Sequence, residues 1–140
     1  MGFQRGSPMV QSKRPKIQKQ LTEVELELMN SVWDLGECTI KDVQNALPAG
    51  RNLAYTSVAT IIKILEQKGF LGSRKGDKAH SYYPLVTRGE YESVSLKHMA
   101  ENLFRGDQSS MVMRLLNDSE LSRQELKAIQ DILKERLAKS

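Results

Sequence analysis

Thr56, Thr60, Lys63 and Gln67 recur at near-helical spacing within NLAYTSVATIIKILEQKGFLGSRKGDKAHSYYPL, residues 52–85. Every one of them can donate a hydrogen bond, and none is acidic. Threonine is a mediocre helix former, so two threonines on the outer stripe of a helix ask for a reason. Hydroxyl and ammonium groups set in a row suit base edges and phosphate oxygens. Ala54, Tyr55 and Ser57 complete the N-terminal end of the same stripe, where an alanine or threonine methyl can meet a thymine methyl. Just downstream, Arg74, Lys75 and Lys78 gather around Gly76-Asp77, a pair suited to a tight hairpin turn. Tyr82 and Tyr83 alternate on the strand that follows, which buries one and turns the other outward; Tyr82 is placed with the DNA-facing set.

These residue types predict recognition of a polyanion and not a reaction centre. The chain offers no Ser-His-Asp pattern, no phosphate-cradling glycine loop and no clustered acid–base pair, so no enzyme is expected. His80 and His98 stand alone, without a carboxylate or cysteine at metal-ligand spacing, so neither a metal nor a cofactor is expected. The single cysteine, Cys38, reads as a small buried residue.

Charge clusters in the same places. Residues 1–20 carry Arg5, Lys13, Arg14, Lys16 and Lys19 and no acid, a net of +5. Residues 21–50 are acidic, at −5, and residues 51–86 basic, at +4, within a chain whose total is +4. A basic arm and a basic central segment flank an acidic helix, and such clustering predicts a surface for nucleic acid.

The elements that must position these groups follow from periodicity. LTEVELELMNSVWDLGE reads as a first helix, opened by a Thr22/Glu25 capping box and stopped by Gly36. Val24, Leu28 and Val32 form its inner stripe, with Met29 beside them, and Trp33 packs under the hairpin. CTI could pair at a sheet edge. TIKDVQNALPAG is a second short helix, with Thr39 as N-cap. In the third helix Val58, Ile61, Ile62 and Leu65 face the core, opposite the threonine stripe, and Gly69 ends it. FLGSR and HSYYPL are two short strands. Helix, helix and basic hairpin in this order predict a winged helix-turn-helix, whose third helix enters the major groove while the wing grips phosphate.

After residue 86 the pattern is helical throughout. Thr87/Glu90 and Ser122/Glu125 are further capping boxes, and Gly106 marks a break. Tyr91, Val94, Met99 and Leu103 make one apolar stripe, and the short apolar helix SSMVMRLLND offers a second set, Met111 and Leu115 at the expected interface with Met113 as interface or core filler. Leu126, Ile129, Leu133 and Leu137 make a third, widened by Ile132. Helices this short and amphipathic bury their faces best against a second copy, which predicts a two-fold dimer. The expected class is mainly α: a basic flexible arm over residues 1–20, a winged-helix DNA-binding domain over 21–86, and a helical dimerisation region over 87–140. Met9 is a second candidate start. With 140 residues, one cysteine, no apolar run near the roughly 20 of a membrane helix and no apolar N-terminal stretch, a cytoplasmic protein is expected, with no membrane partner.

LTEVELELMNSVWDLGECTIKDVQNAL, LAYTSVATIIKILEQKGFL, and YYPLV leading into TRGEY resemble the penicillinase-repressor (BlaI/MecI/CopY) family of bacterial transcriptional repressors, over residues 21–137. The resemblance implies a homodimer bound to a palindromic double-stranded operator, blocking transcription. It also implies an inactivating protease as a candidate partner. Two departures stand out. The copper-responsive branch carries paired C-terminal cysteines, and residues 87–140 contain none. The β-lactam branch is cut at an Asn-Phe bond, and His98-Met99 lines up there, with Leu103 separating the nearby Asn102 from Phe104. The main competing reading is a winged helix used for protein–protein assembly, which would show no preference among DNA sequences. A ligand-gated regulator ranks below it, because the C-terminal helices are too short to frame a large pocket.

Overall fold

The computed structural model describes residues 20–140. The basic arm expected over residues 1–20 therefore lies, Gln20 apart, outside the described residues. In chain order the elements are α1 (Glu23–Leu35), α2 (Ile40–Asn45), α3 (Tyr55–Gln67), β1 (Leu71–Lys75), β2 (His80–Pro84), α4 (Arg88–Leu103), α5 (Gln108–Asp118) and α6 (Arg123–Ala138). This is the expected mainly helical class, with one small antiparallel sheet as the wing. Two compact units divide at Ser95/Leu96, inside α4.

Local chemistry explains the helix starts. Thr22 Oγ1 accepts from the Glu25 amide while Glu25 Oε1 accepts from the Thr22 amide, and Ser122 and Glu125 repeat the exchange at α6. Thr87 and Glu90 do the same ahead of α4. Gly36 closes α1 with φ +80, a conformation costly for any residue with a Cβ. Helix α2 is shorter than its sequence pattern, ending at Ala46 before Pro48.

Leu28, Met29 and Val32 of α1 meet Val43 of α2 and Val58, Ile62 and Leu65 of α3 in a solvent-free core. Each such side chain contributes roughly 1.5–3 kcal/mol by leaving water. Ile61, expected in the inner stripe, is only partly buried at its edge. The wing sits on this core through Leu71 and Tyr82. Its register sets Ser73 opposite Tyr82 and Gly72 opposite Tyr83. Cys38 joins the outer edge of β2: its amide donates to the Tyr82 carbonyl at 2.9 Å and its carbonyl accepts from the Tyr82 amide at 2.7 Å. The CTI segment thus pairs as expected. Trp33 is half-buried, its Nε1 donating to the Val86 carbonyl at 2.8 Å, just beyond the wing.

Three expectations are corrected by burial. Tyr82, placed with the DNA-facing set, is only 4% exposed; strand parity turns it inward and Tyr83 outward. Tyr91, expected at the dimer interface, is 6% exposed and packs on Trp33 and Phe70. Its hydroxyl also accepts from the Leu21 amide at 2.8 Å, which ties it into the winged-helix core. Met111, expected at the same interface, is already buried within the chain at 9% exposure.

Among the described residues Glu25 is the one buried charge, held by Lys68 Nζ at 2.7 Å. Burial alone would raise its carboxyl pKa, but Lys68 and the Thr22 cap outweigh that, and the net displacement is downward. A carboxyl lowered on folding stabilises above its unfolded pKa and loses that contribution as pH falls through the folded value. Glu25→Gln should therefore be less stable than the parent at pH 7. The gap between their urea midpoints should close as pH drops below 4.5, the ordinary carboxyl value. A gap independent of pH would assign Glu25 a purely packing role.

Candidate nucleic-acid interface

Helix α3 presents two faces. Val58, Ile62 and Leu65 anchor one in the core, and the other carries Tyr55, Thr56, Ser57, Thr60 and Lys63 at the surface, behind an exposed Ala54. Alanine as N-cap provides no side-chain acceptor, which forgoes about 1 kcal/mol relative to Ser, Thr or Asp. The amides of Tyr55, Thr56 and Ser57 consequently have no partner among the described residues. They form a positive helix end open to an anion. Thr60 Oγ1 donates to the Thr56 carbonyl at 2.9 Å. That leaves its oxygen lone pairs and its methyl, rather than its proton, facing outward.

The entry to α3 is braced. Arg51 grips Glu27 of α1 with two bonds, Nε–Oε2 at 2.9 Å and Nη2–Oε1 at 3.1 Å, and Gln44 Nε2 donates to the Leu53 carbonyl at 3.0 Å. These fix the loop that the sequence shows only as a long connection. The wing turns through residues 76–79, closed by the Gly76 amide on the Ala79 carbonyl at 3.1 Å. Lys75 and Lys78 flank that tip and are exposed.

The basic central segment is less free than its sequence implies. Arg51 pairs with Glu27, Lys68 with Glu25 and Arg74 with Glu37, so the acidic stretch before it neutralises three of its six cations. Lys63, Lys75 and Lys78 have no ion-pair partner among the described residues. All three lie on α3 or the wing.

Arg74, expected on phosphate, is instead held within the wing. Its Nε lies 3.2 Å from both Glu37 oxygens and its guanidinium 4.4 Å from the Tyr83 ring centre. Tyr83 can lie there because residue 72 is glycine, where an added Cβ would sit 2.6 Å from the ring. Glu37 and the loop braces Glu27 and Gln44 carry no sequence signal for these roles, whereas Tyr83, one of the alternating pair, has Gly72 opposite it as a readable signal of the stack.

The second unit has its own unusual surface. Met99, Leu103, Leu115, Leu126, Leu133 and Leu137 are exposed, as the expected interface requires, and Leu137 reaches 74%. Ile129 is half-buried, as is Val94 in the first unit. Leu96, Val112, Met113 and Ile132 are exposed with them, although Leu96 and Val112 carried no sequence expectation.

Burial, followed by the Asp42 and Glu37 carboxylates, pushes the Cys38 thiol up to about 11, so it is not a reactive thiolate. Among the described residues no cluster of His, Cys, Asp and Glu could hold a metal ion, and no helix is long and apolar enough to cross a membrane.

The family model described as Penicillinase repressor matches residues 21–135. The methicillin resistance regulatory protein MecI of Mammaliicoccus sciuri is 24% identical, over 81% of this chain and 93% of its own. The penicillinase repressor of Bacillus licheniformis is 25% identical, over 83% and 91%. The solution structure of monomeric Bacillus licheniformis BlaI with the blaP half-operator aligns at a TM-score of 0.45 and 23% identity, over 52% of this chain and 89% of that one.

Proposed function

From a chain that belongs to the penicillinase-repressor family, whose members are transcriptional repressors and not enzymes, we propose a homodimer that binds a palindromic operator and blocks transcription. Residues 21–86 carry the DNA and residues 87–140 the self-association. The observation that carries this reading is the outward face of α3: an uncapped helix end, then Ser57, Thr56 and Thr60, then Lys63, with the two wing lysines beyond. The amides at the helix end and Lys63 take phosphate. Ala54, Tyr55, Thr56, Ser57 and Thr60 meet base edges and methyl groups. Lys75 and Lys78 set register on the flanking backbone without reading sequence.

Support for the homodimer comes from the large apolar side chains that residues 96–140 leave exposed, among them Leu103, Leu115, Ile132, Leu133 and Leu137. The same surface on a second copy is self-complementary under a two-fold axis, and two reading helices then face two half-sites.

The test compares a duplex from upstream of its own gene with a shuffled duplex at two salt concentrations. A preference that survives added salt supports the operator reading; equal binding that salt abolishes favours the assembly-module reading. Thr56→Ala and Thr60→Ala should each reduce discrimination by about 1–3 kcal/mol while changing shuffled-duplex binding little. Equal losses on both duplexes would remove the threonines from base readout. Thr60→Val separates the two contacts Thr60 can make, because it keeps a methyl and discards the oxygen.

A further inference from the structure

On the wing's outer face, Glu37, Ser81, Tyr83 and Arg74 form one connected cluster. Glu37 Oε2 accepts from Ser81 Oγ at 2.5 Å, and both its oxygens lie 3.2 Å from Arg74 Nε. Its neighbour Cys38 is pinned to Tyr82 by two backbone bonds, so the carboxylate is anchored to the sheet. It stands beside the side chain best suited to grip a phosphate, since a guanidinium offers a planar fork of donors. We propose that Glu37 is a specificity-determining residue: it holds Arg74 in reserve and so limits how tightly the wing grips DNA of any sequence. This rests on the DNA-binding reading above.

The balance of energies fits a reserve. The ion pair is exposed on both sides, 61% at Arg74 and 43% at Glu37, and exposed pairs are weak. A phosphate set in place by α3 docked in its groove can displace the carboxylate. A loosely held, sliding duplex meets Lys75 and Lys78 first and finds Arg74 occupied. Tyr83 stacks against the guanidinium, 4.4 Å from its ring centre, and holds it close to the tip of the wing. Sequence-independent affinity follows the number of phosphates neutralised, so holding one arginine back in each protomer lowers it without touching base readout.

The experiment measures binding of the full-length protein, Glu37→Gln, Arg74→Ala and the double variant to a random fluorescent duplex and to the operator duplex across a salt series. Circular dichroism confirms equal folding. Glu37→Gln should tighten random-duplex binding by about three- to tenfold at 0.1 M salt and steepen its salt dependence. It should tighten operator binding less, so discrimination falls. Arg74→Ala should weaken operator binding more than random-duplex binding, and in its background Glu37→Gln should tighten random-duplex binding much less than it does in the parent. Retention on immobilised heparin reads the same change without any operator: Glu37→Gln should elute at higher salt, and should shift elution much less in the Arg74→Ala background. The proposal is overturned if Arg74→Ala weakens random-duplex binding as much as operator binding. It is equally overturned if Glu37→Gln acts undiminished without Arg74, as a merely repulsive charge would. A heparin shift in a protein that prefers no duplex would instead overturn the operator reading and keep the Arg74 latch.

Discussion

Leu133→Lys combined with Leu137→Lys is expected to yield a folded monomer whose affinity for a full operator is lower by about 10²–10⁴-fold. Both side chains stand on the open face of α6, at 51% and 74% exposure, so lysine meets no steric obstacle in a single chain. The Ser122/Glu125 box that starts α6 is untouched, and lysine is a good helix former, so the helix persists. The loss falls on association. Burying two ammonium groups per protomer against a second copy costs more than the removed leucines contributed. Once the protomers separate, each half-site is bound on its own, and the effective concentration that joined the two binding events disappears. Sedimentation should show the monomer, and binding to a half-operator duplex should match the parent within about twofold. An unaltered dimer would move the interface off α6, and an unaltered full-operator affinity in a proven monomer would end the two-half-site reading.

What the sequence made legible was whatever depends on neighbours a few residues apart. Capping boxes need a hydroxyl and a carboxylate three positions on, and Thr22/Glu25, Thr87/Glu90 and Ser122/Glu125 all form. The inner stripe of α3 needs only helical periodicity, and Val58, Ile62 and Leu65 are buried as that stripe requires. The rest depends on partners far along the chain. Lys68 finds Glu25 at a separation of 43 residues, Arg74 finds Glu37 at 37 and Arg51 finds Glu27 at 24. Nothing local marks those pairings, so a basic run read as six available cations is one with three. Strand parity has the same weakness. YY on a two-stranded wing has one inward and one outward ring, and only the packing of β2 on α1 and α2 decides which is which.

That decision has an energetic consequence at Tyr82. Tyr82→Ala should cost about 3–5 kcal/mol of stability, the range for deleting a large buried aromatic ring. The ring fills the space between the wing and the helices, and its backbone carries both bonds to Cys38. In a domain stable by about 5–15 kcal/mol in all, that loss removes a large share of the folding free energy. DNA binding should then fall in step with the folded fraction, not independently of it. Tyr82→Phe is the control that separates core from contact. It keeps the ring and discards only a hydroxyl for which no hydrogen bond is formed among the described residues. Its urea midpoint should therefore stay close to the parent's, and its affinity for operator and shuffled duplexes should change by less than about twofold, since no contact is lost. A tenfold loss of operator affinity in a fully stable Tyr82→Phe would return this hydroxyl to the DNA surface. Tyr83, outward on the same strand, stacks on Arg74, so under the proposed reading it is the ring from which an aromatic contribution to DNA binding would come.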